Sequence, residues 1–127
     1  MKKISSLKGK KDFQEVYKKG RKFQQKEVQI TILKYLDKGR VASHRGKGNS
    51  YLNRIIYIGI PISKSYGNAV IRNKAKRRIR AICRDLLRDV NEGYFIIIRP
   101  SVDFKKLCFT NMQKIIESLL KKSGVLQ

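Results

Sequence analysis

Acidic side chains are scarce in this 127-residue chain, where nine Asp and Glu stand against 31 Lys and Arg. It holds one histidine, two cysteines and two prolines, and no apolar run approaches the ~20 residues needed to span a bilayer. Each shortage excludes something. A nuclease that works through metal ions needs clustered carboxylates, and a metal-free one usually needs histidines. Scattered acids and a lone His44 in a loop-like stretch supply neither. The patterns G-x-x-x-x-G-K-[ST], H-E-x-x-H and C-x-x-C are absent as well, so an autonomous enzyme is not expected and no catalytic residue is assigned. The start, Met1-Lys2-Lys3-Ile4-Ser5-Ser6, has no apolar stretch after its lysines and does not read as a signal peptide. Cys83 and Cys108 match no metal-ligand spacing and read as two buried thiols in a reducing, cytoplasmic compartment.

What the chain does have is positive charge, +22 at pH 7. So large a surplus on a small body repels itself, and a polyanionic partner relieves it while releasing counterions. Nucleic acid is the leading candidate and an anionic membrane surface the second. Residues 1–91 carry 25 Lys and Arg against six acids, whereas residues 92–127 carry six against three, so the C-terminal quarter reads as scaffold. With 41% apolar residues the chain can still build a modest core in one domain, 1–127.

Residues 10–19 place Asp12, Phe13, Val16 and Tyr17 at helical spacing, with Gly20 as a stop. A short strand is expected near Lys22–Lys26, and Val28, Ile30 and Ile32 begin a β-rich run that ends near Leu36. Asp37–Arg54, rich in glycine and basic residues and without a clear period, reads as a long mobile basic loop. Residues 55–62 form a further strand, with Pro61 marking its end or an edge position. From Asn68, a plausible N-cap, to Val90 the period turns helical, and Ile71, Ala75, Ile79, Ile82, Leu86 and Val90 make one stripe. Tyr94–Arg99 is a short strand, and residues 103–122 form an amphipathic helix. The expected order is α-β-β-β-α-β-α, an α+β sheet with helices packed on it.

On the 68–90 helix, Arg72, Lys76, Arg80, Arg84 and Arg88 form an i+4 row, about 24 Å long at ~1.5 Å per residue. Lys74, Arg77 and Arg78 widen it, and no acid occurs between Asp37 and Asp85. A solvated face usually alternates signs. Like charges at i, i+4 instead cost a few tenths of a kcal/mol per pair, so a helix that repeats them reads as a phosphate-binding surface. Arginine grips phosphate through two hydrogen bonds, and Asn73 can bond a phosphate, a base edge or a 2′-hydroxyl. Ser63, Lys64, Gly67 and Asn68 sit where strand passes into helix, beside the helix N-terminus with its free N–H groups. Phe13 and Tyr17 carry two readings: core anchors of the first helix, or a partly exposed pair on which unpaired bases stack.

The run Ile62-Ser63-Lys64-Ser65-Tyr66-Gly67-Asn68-Ala69-Val70-Ile71-Arg72-Asn73-Lys74-Ala75-Lys76-Arg77-Arg78-Ile79-Arg80 resembles the signature of the bacterial ribonuclease P protein family. Leu7, Asp12-Phe13, Val16-Tyr17 and Gly20 are similar to that family's opening. The resemblance implies a single-domain two-layer α+β sandwich, ribosomal-protein-S5-domain-2-like, with a left-handed β-α-β crossover through the basic helix. Such a hand departs from the right-handed rule for parallel crossovers. It further implies a subunit that binds a large catalytic RNA and the 5′ leader of precursor tRNA, with neither membrane nor DNA as partner. In that reading the RNA performs a Mg²⁺-dependent phosphodiester hydrolysis, and the metal is held mainly by RNA and substrate.

Carried over by position, Arg72, Asn73 and Lys74 match an Arg-Asn-Arg motif, and Lys76, Arg77 and Arg80 match the basic positions after it. Lys64 matches a lysine ahead of the glycine, and Phe13 and Tyr17 match an aromatic pair lining the leader cleft. Lys74 stands where arginine is usual, and Thr31 where some members place an aromatic on the sheet. Ribosomal or ribosome-assembly proteins share the charge argument and are the alternative reading. A DNA-reading module would need base-reading side chains, whereas this ridge is phosphate-seeking.

Overall fold

The computed structural model describes residues 4–7, 9–34, 55–90 and 93–126. The loop expected at 37–54, His44, and the end of the second expected strand at 35–36 lie outside the described residues. Five strands form one sheet: β1 (Ile4–Ser6), β2 (Arg21–Gln24), β3 (Val28–Lys34), β4 (Ile56–Gly59) and β5 (Tyr94–Pro100). Three helices accompany them: α1 (Lys10–Lys19), α2 (Ala69–Leu86) and α3 (Phe109–Ser123). The sheet order is β1-β4-β5-β3-β2. β1 and β5 run parallel to β4, while β3 is antiparallel to β2 and to β5. β4-α2-β5 is therefore a β-α-β unit whose two strands are neighbours.

Side chains alternate across a strand, and here both faces are covered. Ile30, Ile32, Ile56, Ile58, Ile96 and Ile98 point to one face, where they pack with Ala75, Ile79, Ile82 and Cys83 of α2 and Met112, Ile116, Leu119 and Leu120 of α3. Leu33, Phe95 and Ile97 point to the other, where Leu7 and Val16 of α1 cover them. Burial on both sides explains why β5 reads as a continuous apolar run rather than an alternating one. α2 and α3 make one full layer on the sheet, and α1 lies across part of the reverse face.

The structure revises several expected boundaries. β1 was not foreseen, because three residues after a basic start carry too little pattern; its register comes from pairing Ile4 with Ile56 and Ser6 with Ile58. β4 ends at Gly59 rather than at residue 62, since Pro61 lacks the N–H that would continue the ladder. The helix expected over 103–122 is two pieces. A 3₁₀ turn (Val102–Lys106) buries Phe104, and α3 starts afresh after Cys108. That break leaves Cys108 exposed, against the expectation of two buried thiols, while Cys83 is fully enclosed.

The two thiols therefore differ in reactivity. Burial pushes the Cys83 thiol up to about 12, so almost none of it is thiolate at neutral pH. A thiol reagent at pH 8 is expected to modify Cys108 alone in the native protein and both cysteines in denaturant, read by intact mass. Fast double labelling under native conditions would contradict this packing of α2 on the sheet.

Candidate nucleic-acid interface

α2 begins where the sequence leads. The Asn68 side chain accepts the Ile71 N–H at 3.0 Å, satisfying one of the free donors of the first turn. Before it, Lys64–Tyr66 make a 3₁₀ turn, and Gly67 closes tightly over Ile71: a Cβ at Gly67 would lie 2.8 Å from Ile71 Cγ2. Arg72 Nε donates to the Gly67 carbonyl at 3.1 Å, so this half-buried side chain braces the turn as well as facing outward. Tyr66 is buried beneath, and Lys105, from the C-terminal 3₁₀ turn, donates to its carbonyl at 2.7 Å with its ammonium 5.6 Å from the ring centroid. Burial raises the Tyr66 phenol above its ordinary range, offset in part by the nearby Arg78 charge.

Along α2, Asn73, Lys74, Arg77, Arg80 and Arg84 are exposed, and Lys76 and Arg78 are half-buried. The helix ends at Leu86, short of the expected Val90, so the exposed Arg88 lies in the turn that follows. Among the described residues one ion pair touches the row, between Arg88 and Asp85. Ser63 and Lys64 are exposed on the turn, where the Ser63 and Ser65 hydroxyls share a hydrogen bond at 2.7 Å. Ser63, Lys64, Asn68, Arg72 and Asn73 thus gather at one end of the sheet, while Arg80 lies further along the helix.

Phe13 and Tyr17 lie elsewhere. They sit half-buried on α1, their ring centroids 6.4 Å apart and tilted by 40°, against the reverse face of the sheet from α2. Each ring packs on the core and keeps part of its surface exposed. Phe13 lies over bare backbone, where a Cβ at Gly59 would meet its Cζ at 2.4 Å. Burial raises the Tyr17 phenol, again offset in part by a basic neighbour, Arg99, so the hydroxyl stays protonated at physiological pH.

Several residues of this face escaped the sequence reading. Tyr57 stacks on Phe95 at 5.3 Å and 14°, and is only partly buried. Thr31 is buried against the end of α1, and Tyr57 presents a third ring from β4. Gln29 and Arg99 join Ser63 and Ser65 in a groove of about 270 Å³ at the sheet end, which links the reverse face to the turn before α2. The strand alternation that assigns 57, 59, 95, 97 and 99 to one face was the signal available for them.

Gly59→Ala is expected to drive the Phe13 ring off β4 at a stability cost of about 1–3 kcal/mol, as for overpacking at a buried position. Nuclear Overhauser contacts between the Phe13 ring and β4 should vanish; their persistence would refute this seating.

In comparison with known proteins, the Ribonuclease P family profile matches residues 1–124. The ribonuclease P protein component of Rickettsia prowazekii is 33% identical over 124 residues, covering 94% of this chain and 95% of that protein. The Symbiobacterium thermophilum component is 28% identical over 127 residues, covering 100% of this chain and 97% of that protein. The fold matches the RNase P protein of Staphylococcus aureus with a TM-score of 0.74 at 24% identity, both chains covered fully (100% and 100%). It also matches that of Thermotoga maritima, with a TM-score of 0.70 at 23% identity over 92% of this chain and 96% of that one. With a family match over nearly its whole length and a sheet of the same architecture, the chain belongs to the ribonuclease P protein family.

Proposed function

We propose that this chain acts in the cytoplasm as the protein subunit of ribonuclease P, binding the catalytic RNA along α2 and the 5′ leader of precursor tRNA across the α1 face of the sheet. The observation that carries this reading is the placement of two chemically different surfaces on opposite sides of one sheet, joined by the Ser63–Asn68 turn. The α2 side offers arginine and lysine with little else, which suits phosphates of a structured RNA. The α1 side offers Phe13, Tyr17 and Tyr57 with Arg99 and Gln29 nearby, which suits an unpaired strand whose bases stack. Ser63, Lys64 and Asn68, at the join, are assigned to backbone contacts with the leader. Arg72, Asn73, Lys74, Lys76, Arg77 and Arg80 are assigned to RNA phosphates and 2′-hydroxyls.

Among the described residues no three His, Cys, Asp or Glu side chains come together as metal ligands. That donor set does not fit a protein-held Mg²⁺, and we assign the metal to the RNA and the substrate. The chain's own contribution is affinity and orientation: it holds the leader so that the scissile bond stays in the RNA's active site. No helix among the described residues is long and apolar enough to cross a membrane.

Precursor-tRNA cleavage at low Mg²⁺, with catalytic RNA and with or without this protein, tests the assignment; stimulation is expected, and equal rates would overturn it. Arg77→Ala should weaken binding of the catalytic RNA and reduce the magnitude of the log K versus log[salt] slope by about 0.7–0.9. Phe13→Ala should weaken precursor binding by an amount in the range of one lost stack, ~1–3 kcal/mol, and leave mature tRNA unaffected. Equal losses for precursor and mature tRNA would assign Phe13 to the core alone.

A further inference from the structure

The second half of α2 and the turn after it do more than prolong the basic row. Arg80 and Arg84 of α2 and Arg88 of that turn stand across from the edge strand β1 and enclose with it a groove of about 450 Å³. Ile4 and Ile58 line it with apolar surface, and Ser6 adds a hydroxyl. All three arginines are exposed, and among the described residues neither Arg80 nor Arg84 has a carboxylate partner. Arg88, in the turn just past the end of α2, pairs with Asp85, a solvent-exposed contact that a phosphate would replace. The groove lies at the opposite end of α2 from Asn68, with Arg84 about 18 Å along the axis from Arg72 at ~1.5 Å per residue. It faces away from α1, so it is separate from the aromatic surface on the reverse side of the sheet.

We propose that this groove is a second RNA subsite, which seats one unpaired nucleotide of the catalytic RNA with its phosphates on Arg84 and Arg88 and its base against Ile4 and Ile58. The inference rests on the reading of α2 as the face for the catalytic RNA, and extends it to residues outside the signature. Three features select this occupant. Guanidinium groups four residues apart on one row present several forks side by side, which suits consecutive phosphates better than a single anion. The apolar lining gives a base a flat surface that a phosphate-only site would lack. The groove is also continuous, through Arg80, with the signature residues on the same helix. Its volume falls within the range of small-molecule sites, roughly 300–1,000 Å³. An acidic peptide pairing with the β1 edge is the competing occupant, and the test below separates them.

The assay uses the full chain with the intact catalytic RNA. Affinity, its salt dependence and hydroxyl-radical footprints of the RNA are compared for wild type, Arg84→Ala, Arg84→Lys and the double variant Arg84→Ala/Arg88→Ala. Both side chains are exposed, so matched melting curves are expected. The double variant should bind the RNA about tenfold or more weakly at 0.15 M salt, with the slope reduced by about 1.4–1.8 for two lost phosphates. It should lose one discrete protected segment while protections sensitive to Arg77→Ala remain. Arg84→Lys should recover the slope but only part of the affinity, because charge returns without the fork. Unchanged affinity and footprint in the double variant, with wild type binding normally, would overturn the subsite alone and leave the groove to a peptide. A uniform weakening of every protection would overturn it in favour of a diffuse field. Failure of wild type to bind the RNA at all would overturn the proposed function along with it.

Discussion

The contact between the apolar stripe of α2 and the sheet is the condition for everything else. Three like-charged i, i+4 steps run along α2 from Arg72 to Arg84, costing together about 1 kcal/mol at a few tenths each. Ile79 and Ile82 are fully enclosed, and burying each contributes about 1.5–3 kcal/mol, an upper figure because an unfolded chain already hides some of that surface. Burial therefore wins over repulsion, and the helix stays formed with its guanidinium groups held apart in water. Without the stripe the same residues would be an extended basic tail, able to attract RNA but not to present phosphate contacts in a fixed row.

The sheet then separates two chemistries. Because side chains alternate, β4 and β5 send Ile56, Ile58, Ile96 and Ile98 toward α2 and α3, and Tyr57, Gly59, Phe95, Ile97 and Arg99 the other way. A one-residue slip in either strand would exchange the two sets, placing Arg99 in the core and isoleucines on the surface. The parallel β4–β5 register thus fixes which face is aromatic and which supports the basic helix. Gly59 is the clearest instance. It pairs with the buried Ile97 of β5, and its missing side chain is what lets Phe13 rest on the strand.

Much of this was legible in the sequence where a long period repeated. The Asn68 cap, the stripe at Ala75, Ile79 and Ile82 and the basic row as far as Arg84 follow from spacing, and the structure places them as expected. Ile71 is exposed instead, and α2 ends at Leu86, leaving Arg88 and Val90 beyond it. The α1 face was less legible. Phe13 and Tyr17 were visible as a pair, but Tyr57 and Arg99 are brought to them only by strand pairing between segments some forty residues apart in the chain. β1 is three residues long and owes its existence to β4 rather than to its own composition. The break at Cys108 was hidden because Phe104 and Leu107 fit the helical period of α3, although Phe104 is buried from a separate 3₁₀ turn.

Charge alone also misjudges what a basic residue does. The C-terminal quarter carries little net charge and reads as scaffold, yet Lys105 reaches from it to the Tyr66 carbonyl and fixes the turn that leads into α2. Arg72, the first residue of the basic row, spends its Nε on the Gly67 carbonyl of that same turn. The two cations grip the turn from opposite sides in sequence, one from within α2 and one from the distant C-terminal segment. Between them they set where the first turn of the helix begins, and so the bearing of every side chain four residues further on. A guanidinium at the start of such a row is both part of the fold and part of the surface, whereas Arg80 and Arg84 further along are exposed.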